Sequence, residues 1–168
     1  MCCGSQQPAS LSLKLAATPP AERERQAFFG ALEMPTDIRA FFDAYRDAFN
    51  RLDGEAIARQ YAVPSGIASD SGYTHWPSFE PIRENMVALC SLYSAGGYVT
   101  ARFEPTAFLA QGEAFAIADL QWHIDRSADQ EPWVFNTTYN LIRTGAGWRV
   151  LLCTAYSEKK LNAHAAAP

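Results

Sequence analysis

The stretch from Trp133 to Ser157 constrains this chain more than any other. It reads WVFNTTYNLIRTGAGWRVLLCTAYS, two runs dense in Val, Leu, Ile, Tyr, Trp and Thr joined by Thr144-Gly145-Ala146-Gly147. β-Branched and aromatic residues suit a pleated, half-buried surface, and glycine supplies the positive φ that a tight reversal needs. The stretch therefore reads as a β-hairpin. A regular register that sets Arg143 opposite Trp148 pairs Leu141 with Val150, Tyr139 with Leu152, Thr137 with Thr154 and Phe135 with Tyr156. Side chains alternate along a strand, so that set is one face of the hairpin. The other carries Asn136, Thr138, Asn140, Leu151 and Cys153. Both faces are partly apolar, which predicts that both are covered, one by helices and the other by a second subunit of a homodimer.

The elements upstream supply the helices. Residues 1–35 are rich in Ser, Ala, Gln and Pro and lack periodicity, the pattern of a flexible tail. Within them Glu22 to Leu32 has the makings of a short helix. Thr36 offers an N-cap and Asp37 suits the positive end of a helix dipole. Ile38, Phe41, Phe42, Tyr45, Phe49 and Leu52 then recur at spacings of three and four, one buried helical face. Asp53-Gly54 stops that helix, and Glu55 to Gln60 makes a second. Tyr61 to Ala68 reads as a brief strand in which Pro64 needs an edge or a bulge. Tyr73 to Trp76 pairs back on it. Ser78 caps a third helix with Pro81 in its first turn, where a missing N–H costs nothing. From Tyr98 onward the chain reads as antiparallel strands, with a turn at Gln111-Gly112-Glu113. The fold class is α+β: helices packed on one curved antiparallel sheet over residues 36–158, with residues 159–168 a disordered end.

Composition removes several functions. Of 168 residues, 48% are hydrophobic and 12% aromatic, which a packed domain needs and a disordered chain lacks. A net charge of −4 with scattered Lys and Arg disfavours nucleic acid. No apolar run approaches the ~20 residues of a membrane span. Cys2, Cys3, Cys90 and Cys153 show no zinc or redox spacing, and the last two sit among apolar neighbours. Three scattered histidines, His75, His123 and His164, make no ligand set. The expectation is a cytoplasmic protein with no metal and no other cofactor.

Three stretches carry a family resemblance. They are AYRDAFNRLDGEAIARQYA (Ala44 to Ala62), SFEPIRENM (Ser78 to Met86) and the strand-GAGWRV-strand unit ending TAYSEKKLN (Thr154 to Asn162). Together they resemble the NTF2-like superfamily, with its SnoaL-like and ketosteroid-isomerase-like members, over roughly Thr36 to Ser157. The resemblance implies a cystatin-like cone in which three N-terminal helices close a pocket against the curved sheet. The superfold hosts isomerases, dehydratases and plain binding modules, so fold alone does not name an activity. Against the isomerase pattern, Tyr45 falls where the oxyanion-binding tyrosine of the first helix falls. Tyr139 stands in the place of the strand acid, and the base position lands on Ser69, one residue before Asp70.

The candidate site residues follow. Tyr45 is either a core tyrosine or a hydrogen-bond donor to a ligand oxygen, with Tyr139 as a second donor. Asp70 or His75 is the candidate base, the pair forming a dyad if the carboxylate holds the imidazole. Phe41, Phe49, Tyr61, Trp76, Phe135, Leu152 and Tyr156 are expected to line the pocket. Asp119 and His123 alternate with an Ala-rich face and point either into the pocket or away from it, the outward arrangement agreeing better with the small residues opposite. Two functions remain open. One is binding of a small hydrophobic molecule, with proton transfer next to a carbonyl as its enzymatic form. The other is a non-catalytic dimerisation or protein-interaction module whose pocket is filled by its own side chains.

Overall fold

Apolar spacing at Ile38, Phe41, Phe42, Tyr45 and Phe49 winds the chain into α1, Thr36–Asn50, with all five side chains buried. The computed structural model describes residues 34–127 and 130–156. Most of the expected tail over residues 1–35, with Cys2, Cys3 and the Glu22–Leu32 helix, lies outside the described residues, as do residues 159–168 and His164. The cap at the start of α1 differs from expectation: Thr36 is already helical, and Asp37 accepts the Ile38 amide instead, at 3.0 Å. Asp53 caps the second helix, α2 (Gly54–Ala58), by accepting the Ala56 amide at 2.9 Å. That helix has five residues and ends earlier than the sequence implied. Gly54 is required there, because a Cβ would stand 2.7 Å from the Val87 backbone of the third helix.

The chain then forms β1 (Tyr61–Ser69) and β2 (Gly72–Trp76), an antiparallel pair joining Gly66 to His75 and Ser65 to Trp76. The third helix, α3 (Phe79–Ala95), follows this hairpin, so two helices and not three precede the sheet. Strands β3 (Tyr98–Gln111), β4 (Phe115–Arg126), β5 (Trp133–Thr144) and β6 (Gly147–Tyr156) complete it. The order across the six-stranded sheet is β2-β1-β6-β5-β4-β3.

Two corrections concern the sheet. It is mixed rather than antiparallel, because β1 runs parallel to β6, with Ile67 beside Cys153 and Ala68 beside Thr154. A parallel pair needs a long connection, and here all of the intervening domain provides it. Pro64 falls in the break of register between Tyr61 and Gly66, where no ladder donor is needed. The second correction is in the closing hairpin. Arg143 pairs with Trp148 and Leu141 with Val150, as the regular register has them. Beyond them a bulge leaves Leu151 unpaired, and the partners become Asn140 with Leu152, Tyr139 with Cys153 and Thr137 with Ala155. One extra residue sends every later side chain of β6 to the opposite face. Cys153 and Ala155 thus turn inward, and Leu152 and Tyr156 turn outward.

The concave face of the sheet packs on α1 through aromatic edges. Phe42 meets Tyr139 and Phe103 with ring centroids 5.0 Å and 6.0 Å away, and Tyr45 meets Trp122 at 6.1 Å. Asn50, the last residue of α1, ties the helix to β3. Its Oδ1 accepts from the Ala101 amide at 2.7 Å and the Tyr98 hydroxyl at 2.6 Å. At the other end, Asp37 accepts from Trp148 Nε1 at 2.9 Å and Arg143 at 2.5 Å, and these bonds hold its carboxyl below the usual range. Arg126 caps α3 by donating to the Gly96 carbonyl at 2.7 Å while its guanidinium lies 4.2 Å over Trp133. No described helix is long and apolar enough to cross a membrane.

Candidate functional site

Between α1, α3 and the concave sheet lies a cavity of about 570 Å³. Its walls are mainly apolar: Phe49 from α1, Met86, Leu89 and Leu92 from α3, and Ile124, Phe135 and Ala155 from the sheet. Phenols gather where α1 meets β1 and β5. Tyr45 reaches there from the middle of α1, Tyr61 from the first residue of β1 and Tyr139 from the centre of β5. The hydroxyls of Tyr45 and Tyr61 are 3.0 Å apart, and the Tyr61 hydroxyl stands 3.4 Å from Cys153 Sγ. Tyr139 accepts from Trp122 Nε1 at 3.0 Å, and its ring meets that of Tyr45 edge-on with centroids 5.7 Å apart.

All three phenols are at least nine-tenths buried. Burial, ahead of the neighbouring Tyr61, Cys153 and Tyr139, pushes each of them well above the ordinary tyrosine value of 10.0. Loss of water around a would-be phenolate is the cause. They therefore stay neutral at any physiological pH. A phenol both donates and accepts, so the group can reorient its protons toward an oxygen that enters the cavity. In a low-dielectric setting such a bond is stronger than in water.

The sequence-derived candidates divide in two. Tyr45, Tyr139, Phe49, Tyr61 and Phe135 all line the cavity. Asp70 and His75 do not. Asp70 sits in the exposed β1–β2 turn, and His75 is an exposed residue of β2. Among the described residues no Asp, Glu, His, Lys or Arg lines the cavity, so the group is a set of neutral donors without a base. Ser69, next to Asp70, does reach the lining. Phe41 and Trp76 are buried outside it: Phe41 packs on Phe42 and Tyr45, and Trp76 packs edge-on against Tyr61 with centroids 5.7 Å apart. Leu152 and Tyr156 leave it because of the bulge. Tyr156 instead donates to Asp119 at 2.8 Å on the outer face, where Thr138 also donates to Asp119 at 2.6 Å. His123 meets Gln121 at 3.1 Å on that same face.

Sequence reasoning did not single out Trp122 and Cys153. The signal for Trp122 was present: an indole N–H on the face assigned to the helices needs an acceptor there. Cys153 carried no such signal, because its facing depends on a one-residue bulge.

A two-layer arrangement of helices on a curved six-stranded sheet, with a mainly apolar cavity that carries hydroxyls in its lining, defines the NTF2-like class. Residues 35–158 match the model of the family described as NTF2-like protein (DUF6841), and the chain belongs to it. Among solved structures it is similar to an NTF-2 like protein of unknown function from Shewanella oneidensis MR-1. The two are 17% identical with a TM-score of 0.60, covering 73% of this chain and 98% of that one. It is similar also to an NTF2-like protein with a cystatin-like fold from Novosphingobium aromaticivorans (20% identity, TM-score 0.59, 86% and 92% covered). A ketosteroid isomerase-like protein from Erwinia carotovora atroseptica shares the fold at 15% identity and TM-score 0.55, with 76% and 99% covered. At such identities the likeness concerns the fold. No curated protein matches the chain.

Proposed function

We propose that this protein binds a small, largely apolar molecule in the cavity and receives one of its oxygen atoms at the Tyr45–Tyr61–Tyr139 cluster. The observation that carries this reading is the convergence of three buried, neutral phenols on a cavity of about 570 Å³ whose walls are mainly apolar. Such a volume lies in the usual range for a small-molecule site, and so does the balance of many apolar contacts with a few polar ones. Neutral donors without a nearby cation favour an uncharged acceptor, a ketone or a phenol, over a carboxylate. The open cavity weighs against a cone filled by its own side chains. With Asp70 and His75 on the outside, the proposal is binding, and it assigns neither residue a proton-transfer role.

The test is a thermal-shift and calorimetric screen against bicyclic ketones and phenols, beginning with 1-tetralone, with Tyr45→Phe in parallel. A ligand at 100 times its dissociation constant adds about 2.7 kcal/mol of stability, an easily measured shift. Binding to the wild type that weakens in Tyr45→Phe by roughly fivefold, the yield of one net hydrogen bond, is the expected result. Absence of binding across the panel, or binding indifferent to Tyr45→Phe, would overturn the reading.

A further inference from the structure

The phenols are not the only polar groups of the cavity wall. Thr137 lies two residues before Tyr139 on the same face of β5, is 4% exposed and lines the cavity. Its hydroxyl makes no hydrogen bond to another described residue, whereas Tyr45, Tyr61, Tyr139 and Trp122 are all engaged. Ser65 Oγ is the one side-chain oxygen among the described residues that is both sealed off and unpartnered, so the Thr137 hydroxyl is open to the cavity.

The bulge explains why it is left over. In a regular hairpin Thr137 would sit opposite Thr154, and a cross-strand pair of hydroxyls satisfies itself. The extra residue at Leu151 moves Thr154 to the outer face and sets Ala155 opposite Thr137. On its other side Thr137 faces Leu120 of β4. Neither neighbour has a side-chain polar atom, and Ala155 is small enough to leave room. A hydroxyl that faces the cavity without a protein partner is free to bond an oxygen of a ligand there.

We infer that Thr137 is a specificity-determining residue of this cavity, and that the ligand class is a flat apolar ketone carrying a second oxygen function on its skeleton. This rests on the cavity-binding reading. Thr137 and Tyr139 lie two residues apart on one face of β5, a backbone spacing of about 7 Å, so one bicyclic ring system can lie against both side chains. The ketone oxygen goes to the phenols and the second oxygen to Thr137.

The experiment is calorimetric titration of the full chain with 1-tetralone and its 5-, 6- and 7-hydroxy derivatives, using wild type, Thr137→Val and Thr137→Ser. At least one hydroxy isomer binds wild type roughly fivefold tighter than 1-tetralone. Thr137→Val abolishes that gain, so that it binds the hydroxy isomer no more tightly than 1-tetralone, and Thr137→Ser, which keeps the hydroxyl, retains the gain. Thr137→Ala replaces the valine variant should that one fail to fold. No gain for any isomer, or a gain that persists without the hydroxyl, overturns the inference while leaving the cavity reading intact. Failure of 1-tetralone and all its hydroxy derivatives to bind wild type removes both.

Discussion

The Tyr45–Tyr61 contact admits a sharp test, because removing each hydroxyl leaves its ring in place. Tyr45 keeps its contacts with Phe49 and Trp122, and Tyr61 keeps its edge-on packing with Trp76, when either becomes phenylalanine. Tyr45→Phe deletes the 3.0 Å bond to Tyr61, and one net hydrogen bond is worth about 1 kcal/mol. Tyr61→Phe deletes that bond and the weaker 3.4 Å contact with Cys153, a loss of about 1.5 kcal/mol. The double variant cannot lose the shared bond twice. It should therefore lose about 1.5 kcal/mol, giving a coupling energy of about 1 kcal/mol. Urea unfolding of the four proteins measures this, with an unchanged slope required for the comparison to hold. Losses that add to within ~0.3 kcal/mol would mean that the two hydroxyls are not bonded, and the donor cluster as described would fall.

Alkaline pH gives a second test. The folded-state values of Tyr45, Tyr61 and Tyr139 lie well above 10.0, so above that pH the unfolded chain releases protons that the folded one retains. Stability should be insensitive to these groups up to about pH 9 and fall beyond pH 10, by up to ~4 kcal/mol per pH unit while all three differ; urea melts between pH 7 and 11 that stay level would contradict it. At the C-terminal end of α1, Asn50→Ala removes the acceptor for the Ala101 amide and the Tyr98 hydroxyl and should cost about 2 kcal/mol by the same unfolding assay. A loss under ~0.5 kcal/mol would show that α1 is held to β3 by apolar contacts alone.

Much of this architecture was legible in local pattern. The helical stripe from Ile38 to Phe49, the break at Asp53-Gly54 and the strands from Tyr98 onward follow from periodicity and turn chemistry. So do the inward positions of Tyr45 and Tyr139, since both belong to apolar faces. Non-local facts were not legible. Nothing within Tyr61–Ser69 states that its neighbour will be the last strand, running parallel, because that choice is made by how the whole chain packs. The bulge at Leu151 was hidden for a related reason. Leu151, Leu152 and Cys153 are all apolar, so shifting the strand by one residue leaves the pattern of apolar and polar positions almost unchanged. That ambiguity displaced Leu152 and Tyr156 from the cavity and brought in Cys153 and Ala155. Asp70 and His75 erred differently: a turn and a short edge hairpin place polar residues near a pocket without pointing them into it.

The pairing of β1 with β6 also sets the order in which the binding end can come into being. Tyr61 and Val150 are partners across the sheet, yet they lie near the two ends of the folded domain in sequence. Contacts between such distant positions close late, because the loop entropy must be met before they are rewarded. On a growing chain, α1, α3 and the β3–β5 ladder are complete while the first hairpin still has no seat. Only emergence of the last strand brings Cys153 and Tyr61 together and gives Tyr45 its partner. The cavity is thus a product of completion: a chain stopped before Cys153 would have most of its secondary structure and no assembled donor cluster, with the edge of β1 around Ile67 left open to other chains.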